Sequence, residues 1–214
     1  GVNIVSSHRR ALRVPYEHYA SMTRSARLSH RFLRYETTVG TALPMLDSIA
    51  TSTESADKIL SIEAIVSCTL NFILTSELPF SEALKKAQEV GLTEKDPSAD
   101  LSGADATRKL LILAREAGVK LEKEDITIVP VREENIRENQ RFVASLEKDD
   151  SAALGYRASI RLKDLPEGHP ALRIKGTENM IIVRSSYQTT PVIIQGPGEG
   201  AKMAAARILN DILR

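Results

Sequence analysis

The sequence predicts an α+β protein in which helices cover one face of a mixed sheet. Segments with helical spacing of apolar residues occur beside short β-branched runs, without regular βαβ alternation in the middle of the chain. The 214 residues, 42% of them hydrophobic, are enough to build a real core. A sheet covered on one face leaves its other face available to a partner.

Short runs rich in strand-forming residues predict seven strands. They lie at residues 2–5, 32–36, 59–66, 126–129, 158–162, 180–184 and 192–195. From residue 156 onward, strands alternate with turns, which favours a sheet in the second half of the chain.

Amphipathic spacing and local end signals predict seven helices. They lie at residues 15–30, 43–51, 71–76, 81–90, 105–117, 136–146 and Ala201–Leu213. Pro15 is tolerated in a first turn and Ser81 is a favourable cap, whereas Gly91 and Gly118 are typical helix ends. The helix before Gly118 carries an apolar stripe that begins at Leu110, so its far side can face a ligand.

Composition and charge exclude several classes of protein. The net charge of +1 provides no bulk attraction to nucleic acid or membrane. The four histidines are scattered, Cys68 is the single cysteine, and zinc-finger spacing is absent. The sequence has no run of eighteen apolar residues and no signal-peptide pattern, so we expect a cytoplasmic protein with no membrane partner. Because the chain starts in a predicted strand without an initiator methionine, we expect a fragment.

The basic opening segment leaves nucleic-acid binding as a weaker alternative. Seven arginines between residues 9 and 34 are accompanied there by one acid, Glu17. Basic stretches can neutralise phosphates. Aromatic residues make up only 4% of the chain and no recognised binding motif occurs, so we expect no nucleic-acid partner.

Residues 91–109 place acids, turn residues and a lysine in a fixed order before an apolar helix. The turn residues predict that Glu94 and Asp100 lie on a loop. Asp105 and Lys109 are four residues apart on the following helix, so their side chains point the same way. Two interpretations stay open from these residues alone. One is a solvated helix pair worth about 0.2–0.5 kcal/mol with the loop acids as caps, and the other is a binding site.

This segment resembles the substrate-binding signature of the homoserine dehydrogenases, G-Y-x-E-x-D-P-x-x-D-x-x-G-x-D-x-x-x-K, at every position except the tyrosine. Four further segments match the family in the same order. They are residues 35–44, 64–74, 79–88 and 196–200. The resemblance covers nearly the whole chain and includes the dehydrogenase portions of the bifunctional aspartokinase/homoserine dehydrogenases.

The resemblance implies an NAD(P)-dependent enzyme that interconverts aspartate semialdehyde and homoserine in threonine and methionine biosynthesis. Lys109 matches the lysine that exchanges a proton with the substrate oxygen, and Asp105 matches an acid that organises the catalytic site. The implied substrate-binding residues are Glu94, Asp100 and Thr69. By the family's pattern, Glu94 holds the ammonium group of the amino-acid substrate.

The same resemblance implies a cofactor site and a cation site. The implied cofactor-binding residues are Gly196, Gly198, Gly200 and Arg9. A glycine-rich turn before a helix can approach phosphate or nicotinamide closely, although a plain strand-to-helix turn is an equal alternative. A monovalent cation such as sodium is expected at the backbone carbonyls of Glu36, Val39 and Thr41, where the alternative is a tight turn around Gly40.

By the resemblance, the chain divides into three parts. Residues 1–36 correspond to the C-terminal remnant of a nucleotide-binding domain. Residues 37–195 correspond to the substrate-binding, catalytic and dimerisation domain, and 196–214 to a glycine turn and helix that return to the nucleotide-binding domain. No G-x-G-x-x-G fingerprint follows a strand near the start, so this part alone is expected to be inactive. The family dimerises through the open sheet face, which implies a homodimer.

Several positions depart from the family where its chemistry takes place. Arg9 replaces a second active-site lysine, and an arginine binds anions but hardly exchanges protons. Cys68 and Ala64 replace glycines, Leu92 replaces the signature tyrosine, and Glu199 replaces an alanine in the glycine turn. These departures support an alternative function, namely a non-catalytic dimerisation or regulatory module derived from the family.

Overall fold

The computed structural model describes residues 1–214 and contains eight strands and seven α-helices. Near the N-terminus, β1 (Ile4–Val5) and β2 (Leu33–Arg34) pair in parallel and form a small sheet of their own. A 3₁₀ turn (Arg9–Arg13) and helix α1 (Tyr16–Leu28) connect these strands. A crossover helix is the usual link between parallel strands. The predicted strand, helix and strand are confirmed, each shorter than expected.

The main sheet has six strands. They are β3 (Ile59–Ile65), β4 (Ile126–Ile128), β5 (Gln140–Lys148), β6 (Tyr156–Asp164), β7 (Glu178–Ser185) and β8 (Val192–Pro197). Their order is β4-β6-β5-β3-β7-β8, and every neighbouring pair is antiparallel except β4 and β6. The predicted mixed sheet of an α+β fold is confirmed.

Helices α2 (Met45–Glu54), α3 (Cys68–Leu74) and α6 (Ala104–Glu116) pack against one face of this sheet. Helix α4 (Phe80–Glu89) packs on α3, and α5 (Ser98–Leu101) packs on α3 and α6. Helix α7 (Ala201–Leu213) packs against β1 and the 3₁₀ turn at Glu36–Thr38. The core between the layers buries Ile62 and Ala64 of β3, Leu146 of β5 and Leu110 of α6 completely. Alternate strand residues point to the same side, so one face of the sheet supplies this apolar layer. None of the helices combines the length and apolar character that a membrane crossing requires.

The opposite face of the sheet is only partly covered. At one end, Ala171 and Ile174 from the connection between β6 and β7 pack against Ile65, Val143 and Ile182. The remainder of this face carries mainly polar and charged side chains, and we call it the open sheet face. Its residues include Ser145, Glu147, Ser159, Arg161 and Lys163.

One predicted helix is wrong. The segment 136–146 forms most of strand β5, which lies between β3 and β6 inside the sheet. Phe142, Ala144 and Leu146 alternate toward the helix-covered core, which is the period of a strand. Pairing on both sides and burial of alternate side chains outweigh the local preference for a helix.

Two local predictions also differ from the structure. Helix α4 starts at Phe80 after Pro79, and no side chain caps it, so Ser81 is not the cap. Asp100, expected on a loop, lies in the single turn of helix α5. The first difference moves the start of the helix by one residue and the second adds a single helical turn, so the order of the other elements is unchanged.

The core layer generates a stability prediction. Leu110→Ala removes a side chain that is completely buried, so the free energy of unfolding should fall by about 2–5 kcal/mol. Leu209 is 53% exposed, and Leu209→Ala should change the free energy by less than about 0.5 kcal/mol. Urea unfolding of both variants measures the difference, and equal losses would contradict the assigned core.

Candidate active site

Helix α6 carries the two central residues of the site, and a glycine fixes where this helix begins. Gly103 precedes α6 with φ of 76°, in the left-handed region that favours glycine. A Cβ atom at this position would lie 3.0 Å from Cζ of Phe142 in β5. The helix therefore starts in close contact with the sheet, and this contact sets the direction in which its first turns point.

Lys109 and Asp105 form a largely buried ion pair on α6. The Nζ atom of Lys109 lies 2.9 Å from Oδ2 of Asp105, one helical turn earlier. Lys109 also donates a hydrogen bond to the carbonyl of Val66, directly after β3. Only 7% of Lys109 is exposed. The pair is thus part of the interior, and the interpretation of a solvated surface pair is wrong.

Arg9 approaches the same carboxylate from the N-terminal 3₁₀ turn. Its Nη1 lies 3.2 Å from Oδ1 of Asp105, and its Nε donates to the carbonyl of Thr38 at 2.6 Å. Asp105 is therefore shared by two cations, one on each oxygen. The structure brings Arg9, Asp105 and Lys109 together, although 96 residues separate Arg9 from Asp105.

The ionisation of Asp105 follows from this environment. Burial raises the pKa of the carboxyl group, but the charges of Lys109, Arg9 and Arg108 outweigh burial and hold the pKa below its usual value. Asp105 is therefore a carboxylate at neutral pH. In this form it fixes the position of both cations.

Cys68 lines the site at the start of helix α3. Its Sγ lies 3.6 Å from Oδ1 of Asn179, a residue of β7 that is 1% exposed. Burial raises the pKa of the Cys68 thiol; the positive charge of Lys109 opposes this shift, whereas the negative charge of Glu199 adds to it. A protonated thiol therefore lies at the position where the family signature has a glycine, two residues after the Val66 carbonyl that Lys109 contacts.

The glycine turn closes this side of the site. A Cβ atom on Gly198 would lie 2.6 Å from Sγ of Cys68 and 2.5 Å from Cγ of Asn179, so no side chain fits there. The hydroxyl of Thr41 donates to the carbonyl of Gly198 at 2.6 Å and ties the turn to the loop before α2. Gly196 is similarly crowded, since its Cβ would meet Leu43 at 2.8 Å.

Gly200, the last glycine of the turn, has a different role. It precedes α7 with φ of 141°, and its carbonyl accepts the amide of Ala204. Its position is that of a helix start. Of the three glycines assigned to the cofactor, Gly198 is the one in contact with Cys68 and Asn179.

The predicted substrate residues lie on a neighbouring segment. Thr69 donates to the carbonyl of Leu92 at 2.9 Å and holds this segment against α3. Asp100 accepts a hydrogen bond from Thr93 at 2.7 Å. The side chain of Glu94 is exposed and forms no hydrogen bond or ion pair within the chain. The structure thus leaves the carboxylate of Glu94 free, but places none of these three in direct contact with Lys109.

The loop assigned to a cation is tightly built. The carbonyl of Glu36 accepts the amide of Val39 at 3.3 Å, and Thr41 has φ of 57°. The side chain of Glu36 accepts hydrogen bonds from the amides of Leu46 and Asp47. Burial and the charge of Asp47 raise the pKa of Glu36 to about 7. The side chain of Glu36 therefore caps helix α2.

Asn179 is a residue of the site that sequence analysis missed. Its amide faces the thiol of Cys68 and packs against Gly198, and its Nδ2 has no hydrogen-bond partner within the chain. Asn179 is the second residue of β7 and lies just before the run predicted as a strand, so no local pattern indicated its burial.

The principal cavities of the chain lie away from Lys109. They are lined by the N-terminal unit, by the outer side of α6, and by the ends of α2 and α7. Asp105 contacts Arg9, Lys109 contacts the carbonyl of Val66 two residues before Cys68, and Cys68 in turn packs against the glycine turn.

The fold places a buried lysine and its carboxylate partner on α6, and it packs a glycine turn against Cys68 and Asn179. Residues 44–213 match the family model described as homoserine dehydrogenase. The chain belongs to the homoserine dehydrogenase family.

Similar proteins agree with this assignment. The chain is 31% identical over 243 residues to the bifunctional aspartokinase/homoserine dehydrogenase 2, chloroplastic, of Arabidopsis thaliana, covering 100% of the chain and 26% of that relative. A putative homoserine dehydrogenase from Archaeoglobus fulgidus has a TM-score of 0.84 and 28% identity, covering 98% of this chain and 66% of that one. A hyperthermophilic archaeal homoserine dehydrogenase in complex with NADPH shares the fold, with a TM-score of 0.81 and 24% identity, covering 99% and 63%. The chain thus spans about a quarter of the Arabidopsis relative.

The shifted pKa of Asp105 generates a pH prediction. In the unfolded chain an Asp has a pKa of about 3.9, and in the folded protein the pKa of Asp105 is lower. Its contribution to stability is therefore complete above about pH 5 and is lost as the pH falls through the folded pKa.

The comparison of wild type with Asp105→Asn tests this sign. The difference in free energy of unfolding should be constant above about pH 5 and shrink toward pH 2. Asp150→Asn, with a side chain 86% exposed, is the control and should follow the wild-type profile. A difference for Asp105→Asn that does not change with pH would contradict the assignment.

Proposed function

We propose that this chain is the substrate-binding and catalytic part of an NAD(P)-dependent homoserine dehydrogenase. The enzyme interconverts aspartate semialdehyde and homoserine, a step that serves threonine and methionine biosynthesis. The observation that carries the proposal is the buried Lys109, held by Asp105 at 2.9 Å and by the carbonyl of Val66, two residues before Cys68. The family membership supports it.

The geometry of Lys109 supports a role in proton exchange. An ammonium group has three N–H donors, and Lys109 uses two of them, one to Asp105 and one to the carbonyl of Val66. The third donor is left for the substrate oxygen. During reduction, the ammonium group of Lys109 gives a proton to the aldehyde oxygen of aspartate semialdehyde. During oxidation, the amine of Lys109 takes the proton back from the hydroxyl group of homoserine.

Arg9 and Asp105 position this lysine. Because Arg9 stays protonated, it holds one oxygen of Asp105 and leaves the other for Lys109. Of the two cations, Arg9 and Lys109, only Lys109 can then exchange a proton. Asp105 keeps the Nζ atom in place during the reaction.

The substrate ammonium is proposed to bind at Glu94. This carboxylate is exposed and unpaired within the chain, whereas Asp100 is engaged by Thr93 at 2.7 Å. Thr69 holds the segment that carries both acids against α3. An amino acid bound here would have its charged end at the loop and its reacting end toward the lysine.

The glycine turn fits the nicotinamide end of a dinucleotide better than its phosphates. Gly198 packs its bare backbone against Cys68 and Asn179, which keeps the turn compact without a side chain of its own. Glu199 is exposed on the same turn, and its negative charge would repel a phosphate. When bound, the dinucleotide supplies or accepts the hydride. The archaeal relative in complex with NADPH supports this choice of cofactor.

The nucleotide-binding part is proposed to be completed by chain outside residues 1–214. Parallel strands are normally covered on both faces, but β1 and β2 form a sheet of two strands beside a cavity of about 460 Å³. Arg34 of β2 donates to the carbonyl of Asp211 in α7. This contact supports a division in which residues 1–36 and 196–214 belong with the nucleotide-binding domain and 37–195 with the catalytic domain.

A monovalent cation such as sodium is proposed at the carbonyls of Glu36, Val39 and Thr41. Thr41 ties this loop to the carbonyl of Gly198. A cation there would fix the loop that supports the glycine turn.

A cytoplasmic location stays a prediction; the name of the Arabidopsis relative places that protein in the chloroplast.

A non-catalytic dimerisation or regulatory module is the second candidate. The contact between Arg9 and Asp105 favours it, because an arginine in this place cannot exchange protons. The assay that follows separates the two candidates.

Replacement of the lysine tests the catalytic proposal. Lys109→Ala should lower homoserine oxidation by the intact protein by about 100-fold to 10,000-fold, because the proton acceptor is lost. Lys120→Ala removes an exposed lysine and should leave the rate unchanged. Circular dichroism should show the same fold for both variants. A wild-type protein without activity would favour the non-catalytic module, and an active Lys109→Ala variant would contradict the role of the lysine.

A homodimer through the open sheet face is the proposed assembly. Ser145 is 1% exposed on this face, and its hydroxyl has no hydrogen-bond partner within the chain. Ser145 is thus covered within the chain, whereas Ser159 and Arg161 are accessible on the same face and are open to a second copy. Lys163 forms ion pairs with Glu147 at 3.0 Å and with Glu63 at 3.7 Å beside it.

Sedimentation velocity of the intact protein tests this assembly. Ser159→Arg adds bulk and charge beside Ser145 and should convert the dimer to a monomer. Ser55→Arg, at an exposed helix end, is the control and should stay dimeric. A dimer that survives Ser159→Arg would place the interface elsewhere.

A further inference from the structure

A basic cleft lies on the outer side of helix α6, away from the catalytic pair. Its volume is about 440 Å³, within the range of small-molecule sites. Four cationic side chains line it and no carboxylate does. They are Arg10, Arg13, Arg108 and Lys123. The four come from the N-terminal 3₁₀ turn, from α6 and from the turn before β4.

The charges of this cleft are not compensated within the chain. The side chains of Arg10, Arg13 and Lys123 form no hydrogen bond or ion pair. Arg108 has one acidic neighbour, Asp105, at 3.9 Å, and Asp105 is already held by Arg9 and Lys109. Like charges gathered in a concave surface repel one another and focus a positive potential. An anion in the cleft would relieve this repulsion.

The other lining residues describe the rest of the ligand. Val14, Leu111 and Ile128 provide apolar surface, and the side chain of Leu111 is 3% exposed. Ser102 and Thr107 are the neutral polar residues. The hydroxyl of Thr107 donates to the carbonyl of Gly103 within α6, so the cationic side chains are the donors available to a ligand.

We propose that this cleft binds a small organic phosphate. Three guanidinium groups can form paired hydrogen bonds with the oxygens of a phosphate group. A single carboxylate has fewer oxygens and would leave some of these donors without an acceptor. The apolar surface accommodates the organic part of the ligand. Inorganic phosphate has no apolar group that could contact this surface. The site is distinct from the glycine turn, where the charge of Glu199 disfavours phosphate.

Occupation of the cleft is connected to the catalytic pair through Arg108. This residue directly precedes Lys109 on α6 and lies 3.9 Å from Asp105. A phosphate that draws Arg108 toward the cleft removes its positive charge from Asp105, and Arg9 and Lys109 then hold the carboxylate. The binding itself does not depend on whether the chain is an active dehydrogenase.

Calorimetric titration of the intact protein with phenyl phosphate tests the proposal. We expect saturable binding that weakens as sodium chloride is added, because the contacts are between charges. Arg13→Ala and Lys123→Ala should each weaken binding by about tenfold, the effect of losing one charge-assisted hydrogen bond. Both side chains are exposed and make no contacts, so these variants keep the fold.

Arg24→Ala and Arg27→Ala are the matched controls, since they remove exposed arginines of α1 outside the cleft. Their affinities should equal that of the wild type. Equal loss in the controls, or no saturable binding of phenyl phosphate, would overturn the proposal. Equal affinity for inorganic phosphate would overturn the assignment to an organic ester. Retention on duplex DNA through Arg13 and Lys123, without binding of phenyl phosphate, would instead identify a nucleic-acid surface.

Discussion

The burial of the ammonium group of Lys109 is the constraint on which the site depends. A charge removed from water is stable only where an opposite charge and hydrogen bonds replace its hydration. Asp105 supplies the charge from one turn earlier on α6, and Val66 supplies a carbonyl from the end of β3. The contact of Gly103 with Phe142 holds α6 at the position where both can reach the lysine. The reactive group is thus placed by the sheet as much as by the helix.

The departures from the family are concentrated in one neighbourhood. Arg9 binds the carboxylate that holds Lys109, and Cys68 packs against Gly198 two residues after the carbonyl that Lys109 contacts. Neither substitution removes the partners of the lysine. The pair of Lys109 and Asp105 is therefore intact, while the residues around it differ from the family's pattern.

Helix α6 separates two kinds of chemistry. Its inner side carries the paired charges of Asp105 and Lys109, and its outer side carries Arg108 into a cleft with uncompensated positive charge. The same layered construction leaves one sheet face polar, because the helices use the other face for the core. The inner side of α6, the basic cleft and the open sheet face thus differ in charge. Their proposed partners are the amino-acid substrate, an organic phosphate and a second copy of the chain, respectively.

The sequence alone determined the α+β class, most of the helices and strands, and the helical spacing of Asp105 and Lys109, because these follow from local periodicity. The resemblance in five segments identified the family. Tertiary structure decided what local pattern cannot show. It made residues 140–146, predicted as part of a helix, most of a central strand, because pairing with two neighbours outweighs helix propensity. It also buried Lys109, brought Arg9 across 96 residues to Asp105, and placed Asn179 beside Cys68, since contacts between distant segments depend on how the layers pack.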